Sequence, residues 1–154
     1  MSTQTYDNHG VRFDYPASWE VEVTEDGEVV SVAVSIPDGL GFVVITTDTA
    51  CPDPALASAE ALEALREEYP NLDSNQVMEV INGQTTIGHD VEFFTLDMTN
   101  SAKIRCFRTP RRTVLCFGQW SDLGREETGD QIRDILHSIE ETEGEDDEEV
   151  EPLY

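Results

Sequence analysis

Six side chains in this sequence could act as nucleophiles, proton carriers or soft metal ligands: His9, His89, His137, Cys51, Cys106 and Cys116. A metal site needs two or three such ligands to converge, and on a helix they would stand four residues apart. No two histidines have that spacing, and no two cysteines form the CxxC of a zinc or redox site. His137 lies one turn from Arg133, and His89 opens a strand beside Asp90, so both read as surface or packed histidines. A cysteine paired with a histidine would make a nucleophile, but here only folding could bring the two together. There is no G-x-S-x-G motif, and Gly39-Leu40-Gly41 lacks the rest of a dinucleotide fingerprint. The expectation is therefore a protein that is not an enzyme and holds no cofactor or metal. The alternative is a small hydrolytic enzyme using Cys and His in a cleft.

The cysteines raise one further question. Cys106 and Cys116 flank Pro110-Arg111-Arg112. A turn centred on Arg111 would place them opposite each other on neighbouring strands, where a disulfide is sterically open. Two packed, reduced thiols is the other reading.

Charge says more than any motif. The chain has 33 Asp and Glu against 9 Lys and Arg, a formal net charge of -24, and its one lysine is Lys103. Such a charge repels nucleic acid and anionic membranes. It implies either a salt-rich solvent or a basic partner. Arg in place of Lys, with acid on every surface segment, resembles proteins of salt-loving organisms. An ordinary acidic protein from a GC-rich genome would look alike. Eight acids and no base fall in residues 141–154, which read as a disordered acidic tail. Between Asp97 and Asp122 the pattern inverts: there are no acids, and Lys103, Arg105, Arg108, Arg111 and Arg112 place five bases within ten residues. This basic hairpin is either a solvated offset to local repulsion or a docking site for an anionic partner or for the tail.

The elements that must carry these residues follow from periodicity. Val11 to Pro16, Trp19 to Thr24, Val29 to Ile36 and Phe42 to Thr47 alternate or run apolar like strands, with Asp26-Gly27 and Pro37 to Gly41 as turns. Asp53-Pro54 caps a helix carrying Leu56, Ala59, Leu62, Leu65 and Tyr69, which Pro70 ends. Val77 to Ile81, an Asn82-Gly83 turn, and Thr85 to Met98 come next, then Ala102 to Thr109 with Thr113 to Trp120. Phe93, Phe94, Phe107, Phe117 and Trp120 lie on these strands and read as core. Thr128 and Gln131 have capping-box spacing ahead of a second amphipathic helix through Ile132, Ile135, Leu136 and Ile139. Strands, helix, strands, helix with hairpins between neighbours is α+β with a mostly antiparallel sheet. The length fits one domain, residues 1–140, ahead of the tail.

Phe13-Asp14-Tyr15-Pro16-x-x-Trp19, then Tyr69-Pro70-Asn71 and Ile81-Asn82-Gly83-Gln84, then Ile135-Leu136-x-Ser138-Ile139 stand in an order that resembles the Mog1/PsbP-like superfamily, including its DUF1795 group. The likeness spans roughly residues 5 to 140. It implies a six- or seven-stranded antiparallel sheet flanked by helices, an α/β/α sandwich. It also implies a role in binding other proteins, since known members assist a photosystem, a Ran-type GTPase or secreted effectors. Many bacterial relatives are exported lipoproteins, and this chain has no lipobox cysteine near its N-terminus. With no signal peptide and no apolar run long enough to span a bilayer, a cytoplasmic protein is expected if Met1 is the natural start, and a trimmed exported domain otherwise. Its partner is expected to be another protein, with a homodimer open, and neither nucleic acid nor a membrane.

Overall fold

The structure, a computed structural model, describes residues 2–142. Its elements are β1 (Thr3–Asn8), β2 (Val11–Pro16), β3 (Glu20–Asp26), β4 (Val29–Ser35), β5 (Gly41–Asp48), α1 (Pro54–Glu68), β6 (Asp73–Ile81), β7 (Gln84–Thr95), β8 (Met98–Arg108), β9 (Thr113–Ser121), α2 (Thr128–His137) and β10 (Glu140–Glu141). Seven strands form one antiparallel sheet in the order β3-β4-β5-β9-β8-β7-β6, and β1-β2-β10 form a second, three-stranded sheet. The architecture is α+β, as the periodicity predicts.

Turn chemistry sets the register. Asn82 and Gly83 have φ of 49° and 81°, the left-handed pair that a two-residue hairpin needs, and they hold Ile81 opposite Gln84. Asp53 caps α1 by accepting from the Leu56 amide, and Pro54 begins it.

The large sheet separates two cores. On one face α1 lays Leu62 and Leu65 over Val91, Phe93, Ala102 and Ile104, and Tyr69 stacks on Phe93 with ring centroids 4.2 Å apart. On the other, α2 packs Ile132, Ile135 and Leu136 over Val43, Ile45 and Cys116, while Val11, Phe13 and Trp19 cover the β4 side. Two glycines let α2 settle so closely: a Cβ on Gly41 would lie 2.7 Å from Thr128 Cγ2, and one on Gly118 would lie 2.6 Å from Ile132 Cγ2.

Several expectations change. Cys106 lies opposite Leu115 and Cys116 opposite Arg105, so the two thiols sit on opposite faces and both are free. The turn is the four-residue 109–112, centred between Pro110 and Arg111 rather than on Arg111, and a one-residue slip of register turns every side chain over. The capping box at Thr128 does not form. Glu127 holds the N-cap position without a side-chain bond, and Thr128 turns its methyl onto Gly41, leaving its buried hydroxyl without a partner among the described residues. Leu56 and Phe94 are exposed rather than core. Glu141, assigned above to the tail, is in strand β10 opposite Val11; residues 143–154 lie outside the described residues.

Candidate functional site

The β6–β8 half of the sheet extends past α2, and its α2-side face carries a charged network. Strand alternation puts Glu79, Asp90, Lys103 and Arg105 on this face. Arg105 is buried; it donates from Nε to Glu79 at 2.6 Å and from Nη2 to Asp90 at 2.9 Å. Lys103 Nζ reaches Asp90 at 3.3 Å, and His137 Nε2 meets Glu79 at 3.1 Å. Gly88 stands opposite Arg105, where a Cβ would collide with the Ile104 carbonyl, so this position admits only glycine. Burial works to raise the Glu79 and Asp90 carboxyls. The Arg105 hydrogen bonds and charge outweigh it, helped by His137 and Lys103 respectively, and hold both below the ordinary carboxylate range.

Beside this network runs an open groove of about 590 Å³, lined by Asp73, Asn75, Asp90, Glu92, Lys103 and Trp120, with Arg133 of α2 at its side. Trp120 leans on Gly129, where a Cβ would stand 2.9 Å from its Nε1. The indole, read above as core, is half-buried because α2 begins beside it rather than over it. Asp73 and Glu92 lie directly opposite each other, and neither carboxylate has an ion pair or side-chain hydrogen bond with a described residue. Facing like charges are destabilising across a sheet. A cation placed between them would relieve that repulsion.

The five bases of the 103–112 segment are adjacent in sequence but separated in space. Lys103 and Arg105 belong to the network just described. Arg108 points to the α1 side and donates to the Cys51 carbonyl at 3.2 Å. Arg111 and Arg112 turn to the other end of the sheet and close on Glu141. Its carboxylate accepts from Arg111 Nη2, Arg112 Nε and Thr109 Oγ1, each at 2.9 Å. Arg112 and Glu141 are 2% and 4% exposed, a buried ion pair, and Gly10 (φ +84°) makes room for the guanidinium.

The remaining reactive groups stand apart. Burial, with Asp53 nearby, pushes the Cys106 thiol up to about 12, and burial also raises Cys116. Thiols so shifted stay protonated at neutral pH and make poor nucleophiles. His89 shares a face with Cys106 and sits diagonally from it; burial, then the Arg66 and Arg105 charges, press the imidazole toward its neutral form. His9 Nδ1 lies 2.6 Å from the Tyr6 hydroxyl and its Nε2 3.4 Å from Glu25. No hydrogen bond joins a cysteine to a histidine, and no cluster of three metal-ligating side chains occurs, among the described residues. No helix of these residues is long and apolar enough to cross a membrane.

Sequence reasoning overlooked Glu79, Asp90 and Gly88 as a unit. One signal was present: a glycine inside a long strand run marks a close backbone approach.

No family profile and no curated protein matches this sequence. Solved structures do. Cyanobacterial PsbP (CyanoP) from Synechocystis sp. PCC 6803 superposes with a TM-score of 0.64 at 10% identity, over 91% of this chain and 92% of that one. LpqN of Mycobacterium tuberculosis, described as involved in cell envelope biogenesis, gives 0.55 at 12% identity over 92% and 91%. A Bacteroides thetaiotaomicron VPI-5482 protein gives 0.56 at 13% identity; the match covers 94% of this chain and spans about half, 51%, of that one. The chain has the Mog1/PsbP-like fold. At such identities the likeness concerns the fold alone.

Proposed function

We propose that this Mog1/PsbP-like domain is a non-catalytic accessory module that binds another protein, and that the groove between α2 and β6–β8 receives a basic segment of that partner. One observation carries the reading: Asp73 and Glu92 face each other at the groove with no ion pair to a described residue, the groove's Lys103 and Arg133 being held by Asp90 and Asp130, in a chain of net charge -24. A partner's Lys or Arg would relieve their repulsion, and the field of the whole chain would steer it there. Trp120 supplies the flat aromatic surface on which interface side chains pack. The Arg105 network beneath is internally satisfied, which suits a rigid floor better than a reacting centre. The fold's occurrence in CyanoP and in LpqN agrees with an accessory role.

Affinity capture from the native host tests this with three baits: the wild type, Asp73→Lys/Glu92→Lys, and Glu20→Lys/Glu22→Lys as a control at the far edge. All four positions are exposed, so the baits fold alike. The expected result is a protein held by the wild type and the control but lost by the groove variant. The same set of proteins on all three baits refutes the assignment.

A further inference from the structure

The two edges of the large sheet are built differently. β3 has four acids in seven residues, Glu20, Glu22, Glu25 and Asp26, and all seven are exposed. Such charge blunts an edge against pairing with another strand. β6, at the opposite edge, is nine residues long and pairs with β7 alone among the described residues. Of its two acids, Glu79 is tied to Arg105 and His137, leaving only Asp73. It contains neither proline nor lysine, and it presents Met78 and Val80 at 70% and 67% exposure. Among the described residues, one edge is guarded and the other is open.

The geometry points to strand addition at β6: an extended segment of a partner protein, alternating basic and apolar residues, pairs with this edge as an eighth strand. This deepens the groove-binding reading and rests on it. Alternation along β6 sends Asp73, Asn75, Val77 and Glu79 to the groove side, and Ser74, Gln76, Met78 and Val80 to the α1 side. An added strand lays its own two rows beside these. Its apolar row covers Met78 and Val80, and its basic row runs toward Asp73 and Glu92. Main-chain hydrogen bonds supply affinity and the alternating side chains supply specificity. A net charge of -24 on each copy disfavours a second molecule of this chain as the added strand and favours a cationic one.

The probe is an end-blocked peptide of alternating Lys and Val, as long as β6, titrated at low salt and followed by the backbone amide and Trp120 indole resonances. In an extended peptide the N–H groups of alternate residues point to the same side, so N-methylating one alternate set removes the donors to β6 and N-methylating the other leaves them intact. The expected result is protection of β6 amides from exchange, with one methylated peptide weakened by about tenfold or more and the other nearly unchanged. Met78→Glu/Val80→Glu weakens binding, and a Glu–Val peptide does not bind. If both methylated peptides bind alike while Trp120 still shifts, strand addition is wrong and the groove reading stands. If no Lys–Val peptide moves either Trp120 or β6, the basic partner is wrong as well. Self-association of the free protein that Met78→Glu/Val80→Glu abolishes would put a second copy at this edge and overturn the assignment.

Discussion

Replacing Glu141 with Ala removes the carboxylate that Arg111, Arg112 and Thr109 share. Arg111 is one-third exposed and can turn to water; Arg112, at 2%, cannot without opening the packing around Gly10. Removing one partner of a buried ion pair costs about 3–5 kcal/mol, and the lower end applies here because only one of the two guanidinium groups is buried. With a urea slope of about 2 kcal/mol per molar, a loss of about 3 kcal/mol lowers the unfolding midpoint by about 1.5 M. Buried Trp19 gives the fluorescence signal. Glu140→Ala, one residue away and exposed, is the control and costs under about 0.5 kcal/mol. Arg112→Met alone and together with Glu141→Ala closes a double-mutant cycle that isolates the coupling between the two side chains. If Glu141→Ala unfolds within about 0.5 kcal/mol of the control, or the cycle gives no coupling between Glu141 and Arg112, the clamp contributes nothing and the reasoning fails.

Acid titration reads the Glu79–Arg105–Asp90 network. Both carboxyls sit below their unfolded values, so their contribution is complete above the ordinary carboxylate range and is lost as pH falls through the lower folded values. Arg105→Met should therefore flatten stability against pH below about 4, where circular dichroism melts locate it. Under native conditions at pH 8, iodoacetamide should label Cys51 and spare Cys106 and Cys116, with mass spectrometry showing three adducts only after unfolding. Gly118→Val should cost about 1–3 kcal/mol in calorimetry, by driving methyl groups into Ile132. If the acidity is an adaptation to salt, the melting temperature rises from low to molar potassium chloride; a flat or falling curve refutes that reading.

What the sequence made legible was whatever left a period behind. Val29 to Ser35 alternates because one of its faces is buried, and Asn82-Gly83 announces its turn because few other pairs tolerate that backbone. Strand β1, Thr-Gln-Thr-Tyr-Asp-Asn, is polar throughout and almost wholly exposed, so no apolar period marked it. Whether Cys106 and Cys116 could pair turned on half a residue of turn, a quantity that composition does not encode, and the structure has the packed, reduced thiols. The five bases of the 103–112 hairpin divide in space for a related reason: alternation sends Lys103 and Arg105 to one face and Arg108 to the other, while the turn carries Arg111 and Arg112 to Glu141. Glu79 and Asp90 were invisible among 33 acids, since nothing local distinguishes a carboxylate with a buried arginine from one in water.

The Glu141 clamp also fixes where the described chain leaves the body. Thr142 donates to the Gly10 carbonyl beside the 109–112 turn, at one end of β8, whereas the groove residue Ser101 lies near the other. Seven residue steps from Ser101 to Arg108 along β8 separate the two by about 23 Å. A support held at the Thr142 end of the body would stand that far from the groove and leave it accessible to whatever flows past.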